Sequence, residues 1–109
     1  MPTVFKQAVT TDIGTTPVDV LQIGEGVRST VIGCNLANTT DDDVIVDVFV
    51  IDENSTQAYY VRGLLIPPYN AAKIVTNSEK LILPESAGIR IVSDTANSVD
   101  ATISYVEIA

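Results

Sequence analysis

The sequence predicts an all-β protein, a single β-sandwich or jelly-roll-like domain of about eight or nine short antiparallel strands. Apolar and polar residues alternate with a period of two almost everywhere, and turn-forming residues recur about every ten positions. The hydrophobic fraction of 46% consists mostly of Val, Ile, Leu and Ala, while Lys, Gln and Met, which favour helices, are scarce. With 109 residues the chain is long enough for one hydrophobic core and too short for two.

The first three predicted strands precede an acidic segment. Residues 4–9 and 18–23 alternate over short stretches that end in turn-forming residues, so we expect both strands at sheet edges. A third strand spans residues 27–36. It ends at the polar segment 38–43, which is too charged to pack in a core and is suited to a turn.

The middle of the chain contains the strongest strand signal. Val44–Ile51 alternates without interruption and is rich in β-branched residues. Gln57–Ile66 extends beyond the next turn and is ended by Pro67 and Pro68, which cannot donate a hydrogen bond to a strand ladder. A short strand is then predicted over residues 72–75.

Three further strands complete the predicted fold. Residues 80–83 follow a predicted turn at residues 76–78, and residues 89–92 follow a turn at residues 84–88. The final strand, Val99–Ile108, alternates cleanly. The sequence therefore predicts a series of short strands with no helix of more than one turn, and it leaves the strand order open.

The N-terminal segment has little apolar content. We predict that residues 1–16 form an arm or an edge strand that packs on a neighbouring chain, and that residues 17–109 form the β-sandwich domain.

The strand Val44–Ile51 is apolar on both faces. One face carries Val44, Val46, Val48 and Val50, and the other carries Ile45, Asp47, Phe49 and Ile51. Since a sandwich has one interior, either another chain or a loop of the same chain must cover the second face. We predict protein-interface residues at Val4, Phe5, Ile45, Phe49, Ile51 and Tyr59, and we expect a homo-oligomer.

Charge and hydropathy exclude several partners. Six basic and 14 acidic residues give a formal net charge of −8, which disfavours nucleic acid and anionic membranes as partners. The apolar runs are far shorter than the roughly 20 residues needed to span a bilayer. No basic cluster precedes an apolar run at the N-terminus, so we expect synthesis without export.

Residues with catalytic potential are few. The sequence contains no histidine, which removes the commonest general base and metal ligand. The single cysteine, Cys34, alternates with Ile32 and Leu36 on an apolar face, where a thiolate would be destabilised. We therefore predict a buried structural cysteine, no enzyme activity, and no catalytic, cofactor-binding or metal-binding residue.

Two acidic turns flank the fourth predicted strand, one at residues 41–43 and one at residues 52–54. A strand of this length separates them by roughly 25 Å, so they cannot form one site within a chain. We interpret both as solvated turns and leave open calcium binding at a subunit boundary. Tyr59 and Tyr60 are predicted on opposite faces, which weakens the alternative of a carbohydrate-binding or adhesive module that uses residues 52–60.

Several segments resemble the small β-sandwich virion proteins of tailed bacteriophages. The segments are VIGCNLANTT at 31–40, LLIP at 64–67, KLILPE at 80–85, GIRI at 88–91 and ANSVDATISYVEI at 96–108. This resemblance implies a non-enzymatic structural protein made in the host cytoplasm and located in the virion. Such a protein would bind other virion proteins, as a capsid decoration (cement) protein or as a component of the neck or tail.

Overall fold

A computed structural model describes residues 3–75 and 80–108 of the chain. Within these residues the chain forms strands and turns, and the turn predicted at residues 76–78 lies outside them. The strands are β1 (Thr3–Ile13), β2 (Val18–Gln22), β3 (Arg28–Asn38), β4 (Val44–Ile51), β5 (Gln57–Ile66), β6 (Ala71–Val75), β7 (Leu81–Leu83), β8 (Gly88–Ser93) and β9 (Val99–Ile108).

The strands form two antiparallel sheets. The first sheet has the order β1-β9-β3-β6, with β7 also paired to β3, and the second sheet has the order β2-β8-β4-β5. The chain passes repeatedly from one sheet to the other, and the order in each sheet is that of a jelly roll if β6 and β7 count as one position. The predicted all-β sandwich is therefore confirmed. Both strands predicted at sheet edges, β1 and β2, lie at edges.

The first strand is longer than predicted. It pairs with β9 from Thr3 to Thr10 in unbroken register, and it continues to Ile13 after an irregularity that includes Asp12 at a positive φ of 56°. The side chain of Ile13 is fully buried, so this end of β1 is anchored in the protein's own core. The packing of residues 1–16 on a neighbouring chain remains a prediction.

One predicted face is wrong in the third strand. Cys34 and Leu36 are buried as expected, but Ile32 is only half-buried. The register of β3 against β9 shifts between Val31 and Gly33, and this bulge interrupts the alternation of side chains. Val31, fully buried, therefore takes the core position that strict alternation assigns to Ile32.

The core lies between the inner faces of the two sheets. It is built mainly from aliphatic side chains, because β-branched residues suit the pleated surface of a strand. The largest fully buried side chains include Leu36 and Ile103 of the first sheet and Val46, Val48 and Ile91 of the second. On β4, the face that carries Val44, Val46 and Val48 is therefore the inner face.

Candidate interaction surfaces

The outer face of the first sheet carries a row of four opposed residues, three of them apolar, that crosses four strands. Phe5 of β1 lies opposite Val106 of β9, Val106 lies opposite Thr30 of β3, and Thr30 lies opposite Ile82 of β7. Directly opposed residues point to the same face of a sheet. Phe5 is 77% exposed and Ile82 is 72% exposed, and we call these four residues the Phe5 row.

Two predicted interface residues, Val4 and Phe5, point to opposite faces of β1. Val4 lies opposite Glu107, on the face where Lys6 Nζ donates a 2.9 Å hydrogen bond to Glu107 Oε1. That ion pair raises the pKa of Lys6, chiefly through the hydrogen bond. The structure therefore does not bring Val4 and Phe5 into one surface. On the outer face Val9, which is 60% exposed, shares the side of Phe5 instead.

The outer face of the second sheet brings together the other four predicted residues, Ile45, Phe49, Ile51 and Tyr59. Phe49 and Tyr59 lie opposite each other on β4 and β5, with ring centroids 4.6 Å apart. The guanidinium of Arg62 lies over the Tyr59 ring, 4.9 Å from its centroid. Phe49 is thus partly covered by side chains of its own sheet.

Arg90 of β8 connects three strands across the same face. Its Nε donates a 2.7 Å hydrogen bond to Asp19 Oδ1 of β2, and its Nη1 donates a 2.7 Å hydrogen bond to Gln57 Oε1 of β5. The hydrogen bond to Asp19 raises the pKa of the guanidinium. Ile51 lies in the shallow groove beside these groups and is half-buried.

At the other end of β4 this face is less covered. Ile45 lies opposite Leu65, and the two side chains are 44% and 52% exposed. The second sheet therefore has an apolar pair at one end and a connected polar and aromatic cluster at the other.

The first acidic turn is organised by Asn38, which is 3% exposed. Asn38 Nδ2 donates to the carbonyl oxygens of Asp42, Ile66 and Pro67, and Asn38 Oδ1 accepts from the backbone N and the Oγ1 of Thr40. A buried side chain with every polar atom bonded has a structural role. The pattern Asn-Thr-Thr contained the signal for this turn, since Asn and Thr side chains bond nearby backbone groups.

The second acidic turn is also internally bonded. Asp52 Oδ1 accepts hydrogen bonds from the backbone N of Asn54 and of Thr56, both at 2.9 Å. Within residues 3–75 and 80–108, no three His, Cys, Asp or Glu side chains gather as a metal site would require.

Cys34 is buried as predicted, with 2% of its surface exposed. Burial raises the pKa of its thiol to about 12, so the thiol stays protonated at neutral pH. In the part of the chain that the structure describes, no helix has the length and apolar character that crossing a membrane requires.

Comparison with known proteins establishes the fold and no family. No protein-family model and no curated protein sequence matches the chain. A chain from Bacillus endospore appendages, described as a family of disulfide-linked pili, superposes with a TM-score of 0.59 at 9% identity. That match covers 98% of this chain and 88% of the pilus chain.

Structures from infectious bursal disease virus match less well. T=1 particles derived from this virus give a TM-score of 0.49 at 10% identity, over 97% of this chain and 35% of the viral chain. The Gt strain of the virus gives 0.48 at 6% identity, over 97% of this chain and 32% of that chain. This chain therefore spans about a third of the viral chains that it matches.

Proposed function

We propose that this protein is a non-enzymatic structural subunit of an assembled particle, specifically of a tailed-bacteriophage virion. There it would bind capsid, neck or tail proteins and occur in several copies. The carrying observation is the Phe5 row, in which Phe5 and Ile82 are more than 70% exposed on the outer face of the first sheet. Large apolar side chains exposed on the same face of a sheet are typical of protein contact sites.

Two further observations support this proposal. The pilus chain that shares the fold is itself described as part of an assembled appendage. Asn38 and Asp52 make structural hydrogen bonds in the two turns, and burial keeps the Cys34 thiol protonated. The sequence also lacks histidine, the commonest general base.

The exposed aromatic side chains do not favour the alternative of a carbohydrate-binding module. Phe5 lies on the outer face of the first sheet, Tyr59 on that of the second sheet, and Tyr69 on the turn between β5 and β6. Sugar rings are stacked on aromatic groups that share one surface, which these three do not.

Co-sedimentation with phage particles tests the proposal. Particles released from bacteria that carry the gene are purified, and mass spectrometry is expected to find the protein at a stoichiometric level. Particles that lack the protein are then mixed with the purified native protein or with Ile82→Ser, which removes an exposed apolar group from the Phe5 row. We expect the native protein to sediment with particles. We expect the affinity of Ile82→Ser for particles to be lower by roughly ten-fold or more.

Leu65→Ser is the matched control, because Leu65 is exposed on the outer face of the other sheet. It is expected to bind like the native protein. Particles without the protein, together with native protein that stays in the supernatant, would overturn the proposal. Binding of the native protein to a glycan array without binding to particles would favour the adhesive alternative instead.

A further inference from the structure

The long free edge of the first sheet is formed by β1. Among the described residues β1 pairs with β9 alone, and the register is unbroken from Thr3 to Thr10. In an antiparallel pair, alternate residues direct their N–H and C=O groups away from the partner strand. The outer edge of β1 therefore presents a row of backbone donors and acceptors to solvent.

Within residues 3–75 and 80–108, the other sheet edges are short or interrupted. β2 and β6 have five residues each, and β7 has three. β5 is longer, but its register against β4 shifts twice, and Gly63 within it has a positive φ of 71°. Proteins usually block pairing at sheet edges by keeping the edge strand short or by placing a bulge in it. Between Thr3 and Thr10, β1 is neither short nor bulged.

The charge of β1 also permits close approach of another copy. The chain has a net charge of −8, but Thr3–Ile13 contains one Lys and one Asp and is formally neutral. Lysine side chains on an edge strand often prevent pairing with another chain. Here Lys6 Nζ is instead bonded to Glu107 on the neighbouring strand β9.

We propose that β1 pairs antiparallel with β1 of a second copy of this chain, about a two-fold axis at Gln7. In β1 the odd-numbered residues Phe5, Gln7 and Val9 point to the outer face. Opposed residues must lie on the same face of the joined sheet, so odd-numbered residues pair with odd-numbered ones. Centring the pair on Gln7 places Phe5 opposite the second copy's Val9 on the outer face. It also places Lys6 opposite the second copy's Ala8, whereas centring on Lys6 would oppose two like charges.

This register uses the exposed side chains of β1. Phe5 and Val9 are 77% and 60% exposed, and aromatic side chains paired with β-branched ones stabilise neighbouring strands. The pairing would join the first sheets of two copies and bring their Phe5 rows onto one continuous face. Its biological role thus rests on the proposed function, because that face would be the one that binds the particle.

We expect a weak dimer in solution. A single strand pair buries less than the roughly 800 Å² per partner of a standard interface, and two chains of charge −8 repel each other. Sedimentation velocity of the native protein should therefore show a dimer fraction that grows with protein concentration. Salt should strengthen the dimer, because screening weakens the repulsion.

Charge substitutions locate the interface. Gln7→Lys places two positive charges opposite each other at the two-fold axis, and we expect it to raise the dimer dissociation constant roughly ten-fold or more. Ser104→Lys is the matched control, because Ser104 lies opposite Gln7 on β9. This substitution adds the same charge to the same face, but one strand away from the edge. It should stay within about three-fold of the native value. Equal effects of the two variants would contradict pairing at the β1 edge.

Cysteine cross-linking tests the register. Opposed residues in an antiparallel pair have Cα atoms about 4.5–5.5 Å apart, within the range that a disulfide spans. Gln7→Cys alone should therefore form a disulfide-linked dimer on oxidation. A mixture of Phe5→Cys and Val9→Cys should form a disulfide-linked dimer, but neither variant should do so alone. The reason is that each of these positions lies roughly 13 Å along the strand from the same position in the second chain. The native Cys34 is buried and serves as the background.

The outcomes separate this inference from the proposed function. The β1 pairing would be overturned if the native protein were monomeric at every concentration. It would also be overturned if Phe5→Cys alone cross-linked as well as Gln7→Cys. Either result could occur while the protein still binds particles through Ile82. A dimer with the expected cross-links supports the pairing, and a failure of that dimer to bind particles would overturn the proposed function alone.

Discussion

The outer faces of the two sheets differ in how far their own side chains cover them. On the second sheet, Arg90 links Asp19 to Gln57, and the Tyr59 ring contacts both Phe49 and Arg62. On the first sheet, the Phe5 row has a threonine at its centre and strongly exposed apolar side chains at both ends.

This difference shows that apolar alternation alone does not predict which apolar side chains on an outer face stay exposed. Phe49 and Ile51 are apolar residues on an outer face, but neighbours in their own sheet shield them to an intermediate level. Ile82 belongs to a strand of only three residues and is 72% exposed. The covering depends on which strands become neighbours, and that is a property of the topology.

The largest expected difference between the two sheets is in the loss of stability when a glycine is replaced by alanine. A Cβ at Gly88 of β8 would lie 2.5 Å from the carbonyl oxygen of Leu21 in the paired strand β2, whereas a Cβ at Gly33 of β3 would meet no atom within 4 Å. Gly88→Ala must therefore displace backbone, and we expect a loss of about 3 kcal/mol in the free energy of unfolding. Gly33→Ala should change it by less than about 0.5 kcal/mol. Urea denaturation measures both, and equal midpoints would refute the close approach of β2 to β8.

The two outer phenylalanines provide the next comparison. Phe49→Ala removes a half-buried ring that contacts Tyr59, and we expect a loss of about 2 kcal/mol, less than a fully buried Phe would cost. Phe5→Ala removes a ring that is 77% exposed and should cost less than about 0.5 kcal/mol. Urea denaturation of the two purified monomers at low protein concentration is the measurement. A larger loss for Phe5→Ala would show that the first sheet depends on this row for its own stability.

The fold was predictable because alternation and turn residues are local signals. Val44, Val46 and Val48 are buried, and Tyr59 and Tyr60 point to different faces, as the period of two predicts. The position of Ile32 was not predictable, because the bulge at Val31–Gly33 depends on pairing with β9, a strand about 70 residues away.

The candidate surface was predictable only in part. Phe5 was predicted, but Val106, Thr30 and Ile82 come beside it only through the pairing of β1, β9, β3 and β7. A clue existed at residues 81–83, where three consecutive apolar residues make a strand apolar on both faces. Apolar residues on both faces, the feature that distinguishes β4, therefore also distinguish β7.

The smallest expected effect concerns the bulge in β5, at the edge of the second sheet. Gly63 has a φ of 71°, a left-handed conformation that costs roughly 1–2 kcal/mol for other residues, and its N–H donates to Asp47 Oδ1 at 2.8 Å. We expect Gly63→Ala to lower the free energy of unfolding by about 1 kcal/mol, with Gly24→Ala as a control, since Gly24 has open space and no positive φ. If Gly63→Ala were neutral in urea denaturation, the chain would tolerate this conformation without glycine. If it instead formed species larger than a dimer in sedimentation velocity, the bulge would be what keeps the β5 edge from pairing, in contrast to the unprotected edge at β1.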